Sequence, residues 1–260
     1  MQLAINFNFP SITTPGGAKF LWDYLIDCKN SPAAAAPDSY QTSFLSFCLR
    51  HFASSNSQFF QDLYVAHKLG HKRNGYFVDF GATDGILGSN SYYFEKELDW
   101  VGIVAEPNAV HHVKLRNNRN CIIDQRCVWK ESGEKIEFVA TAHPDFSTIS
   151  LFKDNDYISA ARTAAAGAVC VMVETVSLNE LLSENNAPTD FDYLSIDTEG
   201  SEYEILKSLD YKKYRPQIIT AEHNHNAALR NDIHTLLTSQ GYVREFETFS
   251  GVDDWYYSQN

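Results

Sequence analysis

The sequence lacks a surplus of positive charge. It contains 21 Lys and Arg residues against 33 Asp and Glu residues, which gives a formal net charge of -12 at pH 7. Proteins that bind nucleic acids present a basic face to the phosphates, so this balance argues against a nucleic-acid partner. The same balance is compatible with a cationic ligand such as a sulfonium.

Cysteine is scarce and irregularly spaced. Isolated thiols in a chain of 260 residues indicate reduced cysteines and not a disulfide framework, so we expect a cytoplasmic protein. The first residues also lack the basic and apolar regions of a secretory signal. The five cysteines form an odd set without a C-x-x-C pair: Cys28, Cys48, Cys121, Cys127 and Cys170.

Long hydrophobic runs are absent as well. No apolar run approaches the ~20 residues that a membrane-spanning helix needs, and we expect neither a membrane span nor a membrane partner. Hydrophobic residues nevertheless make up 44% of the sequence and aromatic residues 13%. A chain of this length and composition predicts a soluble globular protein with one large domain, or a core domain with an appendage.

Residues 1–56 differ in composition from the rest of the chain. A stretch rich in Ser, Pro and Ala at 31–37, typical of a linker, separates helical patterns at 18–28 and 40–52. We therefore expect a helical appendage over 1–56 and the main domain over 57–260. The appendage either packs on the core or serves as a substrate lid or dimer contact. The last alternative would make the protein a homo-oligomer.

From residue 57 onward, apolar segments of strand length alternate with helical patterns. This alternation predicts parallel strand pairing with helices on both faces of the sheet. Segments 242–249 and 252–257 predict a closing antiparallel hairpin. The predicted strands are 76–80, 101–105, 121–124, 193–197 and 217–222, and the predicted helices are 90–98, 109–117, 178–183, 202–209 and 227–240.

Residues 134–175 interrupt the alternation. Strand-like segments at 135–140 and 168–175 enclose a long insertion. An insertion at this point either overhangs the ligand cleft or is an ordered surface excursion.

The segment 76–85 leads an apolar strand into an acidic glycine turn. Its pattern, Asp79-x-Gly81-x-x-x-Gly85, differs from the G-x-G-x-x-G fingerprint of dinucleotide-binding proteins. The carboxylate of Asp79 would repel a pyrophosphate, but it suits a ligand that carries an ammonium or sulfonium. The pattern therefore favours S-adenosylmethionine over a nicotinamide cofactor.

The next predicted strand, 101–105, is followed by another acid, Glu106. A carboxylate at this position can accept hydrogen bonds from both hydroxyls of a ribose, so Gly81 and Glu106 together imply a nucleoside cofactor. The alternative for Asp79 and Glu106 is a structural role as helix caps.

The order of five motifs resembles that of the FkbM family of methyltransferases. The resemblance extends roughly over residues 57–257 and leaves out the first 56. The motifs are Val78-Asp79-Phe80-Gly81-Ala82-Thr83-Asp84-Gly85, Ser89-Asn90-Ser91 with Phe94-Glu95-Lys96, Trp100-Val101-Gly102-Ile103 leading to Glu106-Pro107-Asn108, Leu194-Ser195-Ile196-Asp197-Thr198-Glu199-Gly200-Ser201-Glu202, and Ile205-Leu206.

The resemblance implies an α/β, Rossmann-like class I methyltransferase. Such a protein has a mostly parallel seven-stranded sheet, helices on both faces and a C-terminal antiparallel hairpin. The implied activity is an S-adenosylmethionine-dependent O-methyltransferase. Its acceptor would be a hydroxyl of a sugar, a glycan or a related small metabolite.

The resemblance also implies cofactor contacts by position. Asn90 would either hydrogen-bond the amino-acid end of the cofactor or cap the following helix. Asp124 would either contact the adenine amino group or serve as a turn residue. The other contacts so implied are Asp79, Gly81, Ala82 and Gly85 at the methionine part, Glu106 at the ribose and Asp197 beside the methyl group.

Two later strand ends would supply the acceptor side, because the carboxyl ends of parallel strands converge on one crevice. A hydroxyl is a poor nucleophile until its proton is withdrawn, and His223 and Asp197 are predicted for that role. The acids could also hold a divalent cation, Mg or Mn; the alternative is a hydrogen-bonded network without a metal. The residues predicted to face one substrate are Asp197, Glu199, Glu222 and His223.

Two other functions remain open on the sequence. One is an NAD-type oxidoreductase of the same broad fold, which the missing phosphate fingerprint disfavours. The other is a non-catalytic nucleoside-binding module, which the acids at the later strand ends disfavour. Five aromatic residues could stack on a sugar ring or belong to the core: Phe146, Phe152, Tyr157, Trp255 and Tyr256.

Overall fold

The computed structural model describes residues 19, 40–141, 147–152 and 168–259. The chain divides into two compact units, Met1–Ser46 and Phe47–Asn260. Apart from Lys19, the predicted helix 18–28 and the linker 31–37 lie outside the described residues. The predicted domain division after residue 56 stays a prediction.

Helices and strands alternate over most of the described residues. None of the described helices combines the length and the apolar character that a bilayer span requires. In chain order the elements are α1 (Tyr40–His51), α2 (Gln61–Lys68), β1 (Tyr76–Phe80), α3 (Tyr92–Glu97), β2 (Val101–Ala105), α4 (His112–Asn118), β3 (Ile122–Asp124), β4 (Cys127–Trp129), β5 (Lys135–Ala140), β6 (Thr148–Ile149), β7 (Val169–Ser177), α5 (Leu178–Glu184), β8 (Tyr193–Ile196), α6 (Glu202–Ser208), β9 (Ile218–Glu222), α7 (Ala227–Ser239), β10 (Tyr242–Glu245) and β11 (Asp253–Ser258).

Seven strands form the main sheet in the order β10-β11-β9-β8-β1-β2-β3. The five strands from β9 to β3 pair in parallel. Strand β11 runs antiparallel to both β9 and β10. This is the predicted Rossmann-like class I methyltransferase architecture, so the fold class is confirmed.

The agreement between predicted and observed elements is closest in the main sheet. Strands β1 and β2 have the predicted bounds, and the helix predicted at 202–209 is α6, which ends one residue earlier. The sequence did not predict α2, β4 or β6. Each of those two strands has three residues or fewer, too short for a pattern of alternation to be seen.

One face of the main sheet carries the principal hydrophobic core. Successive side chains of a strand point to opposite faces, so Val78 and Phe80 of β1 share a face. They pack in one buried cluster with Leu194 of β8, Leu181 of α5 and Leu237 of α7. Helices after the later strands therefore cover this face.

The opposite face carries a row of buried polar residues. Asp79, Ser195 and Thr220 are consecutive partners across β1, β8 and β9, and Trp255 of β11 continues the row. The Trp255 ring stacks on Tyr64 of α2, with ring centroids 4.7 Å apart. Helix α2 therefore covers this face.

The aromatic residues considered for sugar stacking fall into two groups. Trp255 and Tyr256 are at most 1% exposed, and the alternative that they are core residues is correct. The side chains of Phe146, Phe152 and Tyr157 lie outside what the structure describes.

The predicted insertion forms part of a second sheet, in the order β4-β7-β5-β6. Strands β5 and β7 pair antiparallel from Lys135 with Glu174 to Ala140 with Val169. Phe138, Ile149 and Trp129 form a small core of their own. The described cysteines, Cys48, Cys121, Cys127 and Cys170, are free thiols, as the sequence predicts.

Gly81 determines how closely the ends of β1 and β8 approach. Its φ is +83°, and a β-carbon at this position would lie 2.0 Å from the carbonyl oxygen of Asp197. A left-handed φ is unfavourable for residues with a β-carbon, and a contact of 2.0 Å with main chain cannot be relieved by a rotamer change. Only glycine lets the two strand ends meet here.

Substitution of Gly81 by alanine tests this approach. We expect Gly133→Ala, at an exposed turn with φ of +76° and no atom within 4 Å of the place where its methyl group would lie, to cost about 1–2 kcal/mol for its backbone conformation alone. Gly81→Ala should cost at least about 1 kcal/mol more, because the Asp197 main chain must move. Urea unfolding of both variants measures the difference, and equal losses would contradict the packing argument.

Candidate active site

The loop after β1 is anchored by Asp79, which is 3% exposed. Ser91 Oγ donates a 2.5 Å hydrogen bond to Asp79 Oδ2, and Arg119 Nη2 donates to Ser91 Oγ at 2.9 Å. Burial raises the pKa of the Asp79 carboxyl, and the bond from Ser91 and the charge of Arg119 oppose that rise. Asp79 therefore fixes the far end of the loop through its hydrogen bond with Ser91. Its predicted contact with the methionine part of a cofactor stays a prediction.

Arg119, which the sequence analysis did not identify, holds the same loop from the other side. Its side chain is fully buried and donates to Glu95 Oε2 at 2.8 Å and to Ser89 Oγ at 3.2 Å. Gly85 has a φ of +85°, and a β-carbon there would lie 2.7 Å from Arg119 Cγ. The close packing of Arg119 therefore requires a glycine at position 85.

Asn90 is 6% exposed and lies beside this network. Its Nδ2 donates to Ser195 Oγ at 3.1 Å, while its Oδ1 has no hydrogen-bond partner among the described atoms. The N-cap position of α3 belongs to Ser91. Asn90 is therefore not the helix cap, and its predicted contact with the amino-acid end of a cofactor stays a prediction.

Glu106 joins the loops after β1 and β2. Its Oε2 accepts from the Thr83 backbone N–H at 2.9 Å, and its Oε1 accepts from the Asn108 N–H at 2.7 Å. Burial raises the pKa of Glu106 to about 7, against the opposing effect of these two bonds. The carboxyl lies at the edge of the glycine loop, where the sequence predicted a ribose contact; that contact stays a prediction.

Asp124 ends β3 and pairs with a neighbour. Its Oδ1 accepts from the Arg126 N–H at 2.8 Å, and its Oδ2 lies 2.6 Å from Arg126 Nη2. These contacts are those of a turn residue, one of the two alternatives for Asp124. The contact with adenine stays a prediction.

Asp197, Glu199 and Glu222, the acids predicted for the acceptor side, come together. One carboxylate oxygen of each lies within 4.8 Å of the others. Burial, and then the charges of Asp197 and Glu199, raise the pKa of Glu222 well above its ordinary value. The grouping of these three residues agrees with the sequence prediction.

The turn that carries Glu199 is fixed by its neighbours. Glu202 Oε1 accepts from the backbone N–H groups of Thr198 at 2.9 Å and Gly200 at 3.0 Å. Thr148 of the second sheet donates through Oγ1 to the Glu199 carbonyl at 2.7 Å. The described part of the insertion therefore contacts the site.

His223 is not part of the carboxylate group. Its Nε2 lies 4.0 Å from Asp254 Oδ1, and burial lowers the pKa of the imidazole. Glu222 is the strand partner of Asp253, whereas Ala221 is the partner of Asp254. Because side chains alternate along a strand, Asp253 and Asp254 point to opposite faces of the sheet, and His223, just beyond the end of β9, lies beside Asp254.

Asp253 is a site residue that the sequence analysis missed. It is the strand partner of Glu222, and Gln61 Nε2 of α2 donates to its Oδ2 at 2.6 Å. Burial raises the pKa of Asp253 to about 7. The residues that form this contact are 192 positions apart, so no local pattern could reveal it.

Comparison with known families decides the class of protein. The sequence profile of the methyltransferase FkbM domain matches residues 79–244. This chain belongs to the FkbM methyltransferase family. In this FkbM methyltransferase, Gln61 and Asp253 lie outside the matched region, although Asp253 is the strand partner of Glu222 inside it. A comparison with curated protein sequences finds no match.

Three of the solved structures similar to this FkbM methyltransferase are methyltransferases by name. The FkbM methyltransferase from Methylobacillus flagellatus KT is 10% identical, with 84% of this chain and 62% of that chain covered and a TM-score of 0.46. The precorrin-6y C5,15-methyltransferase from Geobacter metallireducens GS-15 is 14% identical, with 71% and 72% covered and a TM-score of 0.40. The TehB-like SAM-dependent methyltransferase from Corynebacterium glutamicum ATCC 13032 Kitasato is 9% identical, with 84% and 96% covered and a TM-score of 0.39.

The buried position of Glu106 predicts a pH-dependent stability. Its folded-state pKa is raised from 4.5 to about 7, so its contribution is fully present below pH 4.5 and is lost as the pH rises through 7. We expect the melting temperature of the wild type to fall by a few degrees more than that of Glu106→Gln between pH 5 and pH 8. Differential scanning fluorimetry measures both slopes. Parallel slopes would show that Glu106 does not titrate in this range.

Proposed function

We propose that this protein is an S-adenosylmethionine-dependent O-methyltransferase that acts on a hydroxyl of a sugar, a glycan or a related small metabolite. The observation that supports this most strongly is the contact between the Gly81 backbone and the Asp197 carbonyl. It brings a cofactor-type glycine loop beside the acceptor-side carboxylates. Methyl transfer needs its two reactants in one crevice and in line, and little else.

The residues around the glycine loop fit the proposed cofactor. The buried Oδ1 of Asn90 offers an acceptor for the ammonium of the methionine part. Glu106, at the carboxyl end of β2, offers oxygens to the ribose hydroxyls. Gly81 and Gly85 leave the two ends of this loop without side chains. The bound cofactor supplies an activated methyl group on a sulfonium.

The acceptor side needs a group that takes up the hydroxyl proton. Asp197 and Glu222 are our candidates, because both belong to the carboxylate group beside Gly81. A carboxyl whose pKa is raised well above its ordinary value, as that of Glu222 is by burial and by the neighbouring acids, is a stronger base in its ionised form. His223 was predicted for this role, but it faces Asp254 on the other side of the sheet.

A divalent cation is a further part of the proposal. The three carboxylates would hold Mg or Mn, since both prefer oxygen ligands, and the cation would polarise an acceptor hydroxyl. Asn224 Nδ2 already donates to Glu199 and Glu222, which supports the alternative of a network without a metal. Methyl transfer measured with and without a chelator decides between them.

The order of strands weighs against a nicotinamide-dependent oxidoreductase. Dinucleotide-binding sheets have the order 3-2-1-4-5-6, whereas here the antiparallel β11 lies between β9 and β10. The proposed partner is a small-molecule or glycan acceptor, and the net charge of -12 weighs against a nucleic acid. The proposal includes a cytoplasmic location and a homo-oligomeric state. Gel filtration with light scattering measures the oligomeric state.

Cofactor affinity tests the first half of the proposal. We expect the wild type to bind S-adenosylmethionine and Glu106→Ala to bind it at least roughly tenfold more weakly, because a ribose hydroxyl loses its partner. Glu131→Ala, which removes an exposed acid in a turn, is the matched control and should bind like the wild type. Isothermal titration calorimetry measures all three. Wild-type affinity in Glu106→Ala would refute the ribose assignment.

Turnover tests the second half. We expect Asp197→Asn and Glu222→Gln to lower kcat by roughly 10²–10⁴-fold with little change in cofactor affinity. His223→Asn, which keeps an acceptor where His223 Nδ1 accepts from the His225 N–H, should retain most of the turnover.

Transfer of a radiolabelled methyl group to a panel of neutral sugars, glycans and nucleotide sugars provides the measurement. If His223→Asn alone abolishes transfer, the base is His223, as the sequence predicted, and not one of the carboxylates.

A further inference from the structure

We propose that Asn224 is a positioning residue that holds the Glu199 and Glu222 carboxylates together through a single amide group. The inference extends the proposed function, because it concerns the acceptor side of that same site. Asn224 was not assigned a role from the sequence, in which it lies between two histidines.

The hydrogen bonds of Asn224 are the first argument. Its Nδ2 donates to Glu222 Oε2 at 2.7 Å and to Glu199 Oε2 at 3.0 Å. An amide nitrogen carries two hydrogens, so one group serves both carboxylates. Asn224 is only 7% exposed, and bonds to charged acceptors at such buried positions are strong.

The positions of the two carboxylates in the fold are the second argument. Glu199 belongs to the turn after β8, and Glu222 ends β9. The Glu199 turn is held from the second sheet by Thr148, whereas the backbone N–H of Asn224 donates to the Val252 carbonyl at 3.2 Å. The Asn224 amide is thus a direct bond between two separately anchored turns.

The residue type suits the backbone at this position. Asn224 has a φ of +47°, in the left-handed region that asparagine tolerates better than most residues. The side chain can therefore reach both carboxylates without displacing the turn.

The charges explain why the amide matters for the proposed reaction. Two carboxylates at this separation repel each other, and the two N–H groups offset part of the repulsion. Without them the carboxylates would move apart. Because a displacement of about 1 Å at a reacting centre can lower the rate about 10²-fold, turnover should be affected more than cofactor binding.

Two variants separate the amide from the backbone. Asn224→Gly accepts the left-handed conformation and removes the amide, whereas Asn224→Asp keeps the shape and replaces the donor with an oxygen. The matched control is His225→Asn, because the exposed His225 has a similar φ of +57° in the same turn. We expect both Asn224 variants to lose about 10²-fold in kcat. Their affinity for S-adenosylmethionine should stay close to that of His225→Asn, whereas their urea midpoints should fall, because two buried carboxylates lose their donor.

A role in stability alone would instead lower the urea midpoint without a selective loss of kcat, and that result would overturn the proposal. Wild-type kcat in Asn224→Gly would overturn it equally.

A second measurement does not depend on turnover. In ¹⁵N-labelled wild-type protein without acceptor, the side-chain NH₂ of Asn224, assigned by its loss in Asn224→Gly, should exchange slowly with solvent. Fast exchange would overturn the bridge. If the wild type binds no S-adenosylmethionine or transfers no methyl group, the proposed function fails, and the exchange rate of this amide by itself still decides whether the bridge exists.

Discussion

The approach of the Gly81 main chain to the carbonyl of Asp197 is the contact on which the rest of the candidate site depends. A β-carbon at residue 81 would lie 2.0 Å from that oxygen, so the loop after β1 and the turn after β8 can meet only around a glycine. The contact sets the glycine loop after β1 against the turn that carries Asp197 and Glu199. The residues proposed for the cofactor and for the acceptor thereby lie at the carboxyl ends of two neighbouring parallel strands.

Four acids of the candidate site are buried, and each of them accepts at least one hydrogen bond. Asp79 accepts from Ser91, Glu106 from two backbone N–H groups, Glu222 from Asn224 and Asp253 from Gln61. Burial nevertheless raises the pKa of all four carboxyls. Clustered groups with raised pKa values are more typical of functional sites than of cores. The same is true of left-handed backbone, which Thr83, Glu199 and Asn224 adopt.

Much of the main sheet could be predicted because it is encoded locally. Strands that are buried on both faces form continuous apolar runs, and β1 and β2 have the predicted bounds for this reason. The acids Asp197, Glu199 and Glu222 could be grouped because each lies at the carboxyl end of a parallel strand or just after it. His223 was grouped with them wrongly in space, because the prediction used the strand end and not the alternation of faces.

The sequence by itself determined the parallel sheet, the glycine turn and the family, since each depends on residues within a short segment. Which side chains contact one another was decided only by the tertiary structure. Arg119 packs on Gly85, Gln61 binds Asp253, and Asn224 joins the ends of two strands. These contacts connect segments that are distant along the chain, and their geometry exists only after the sheet has brought the strand ends together.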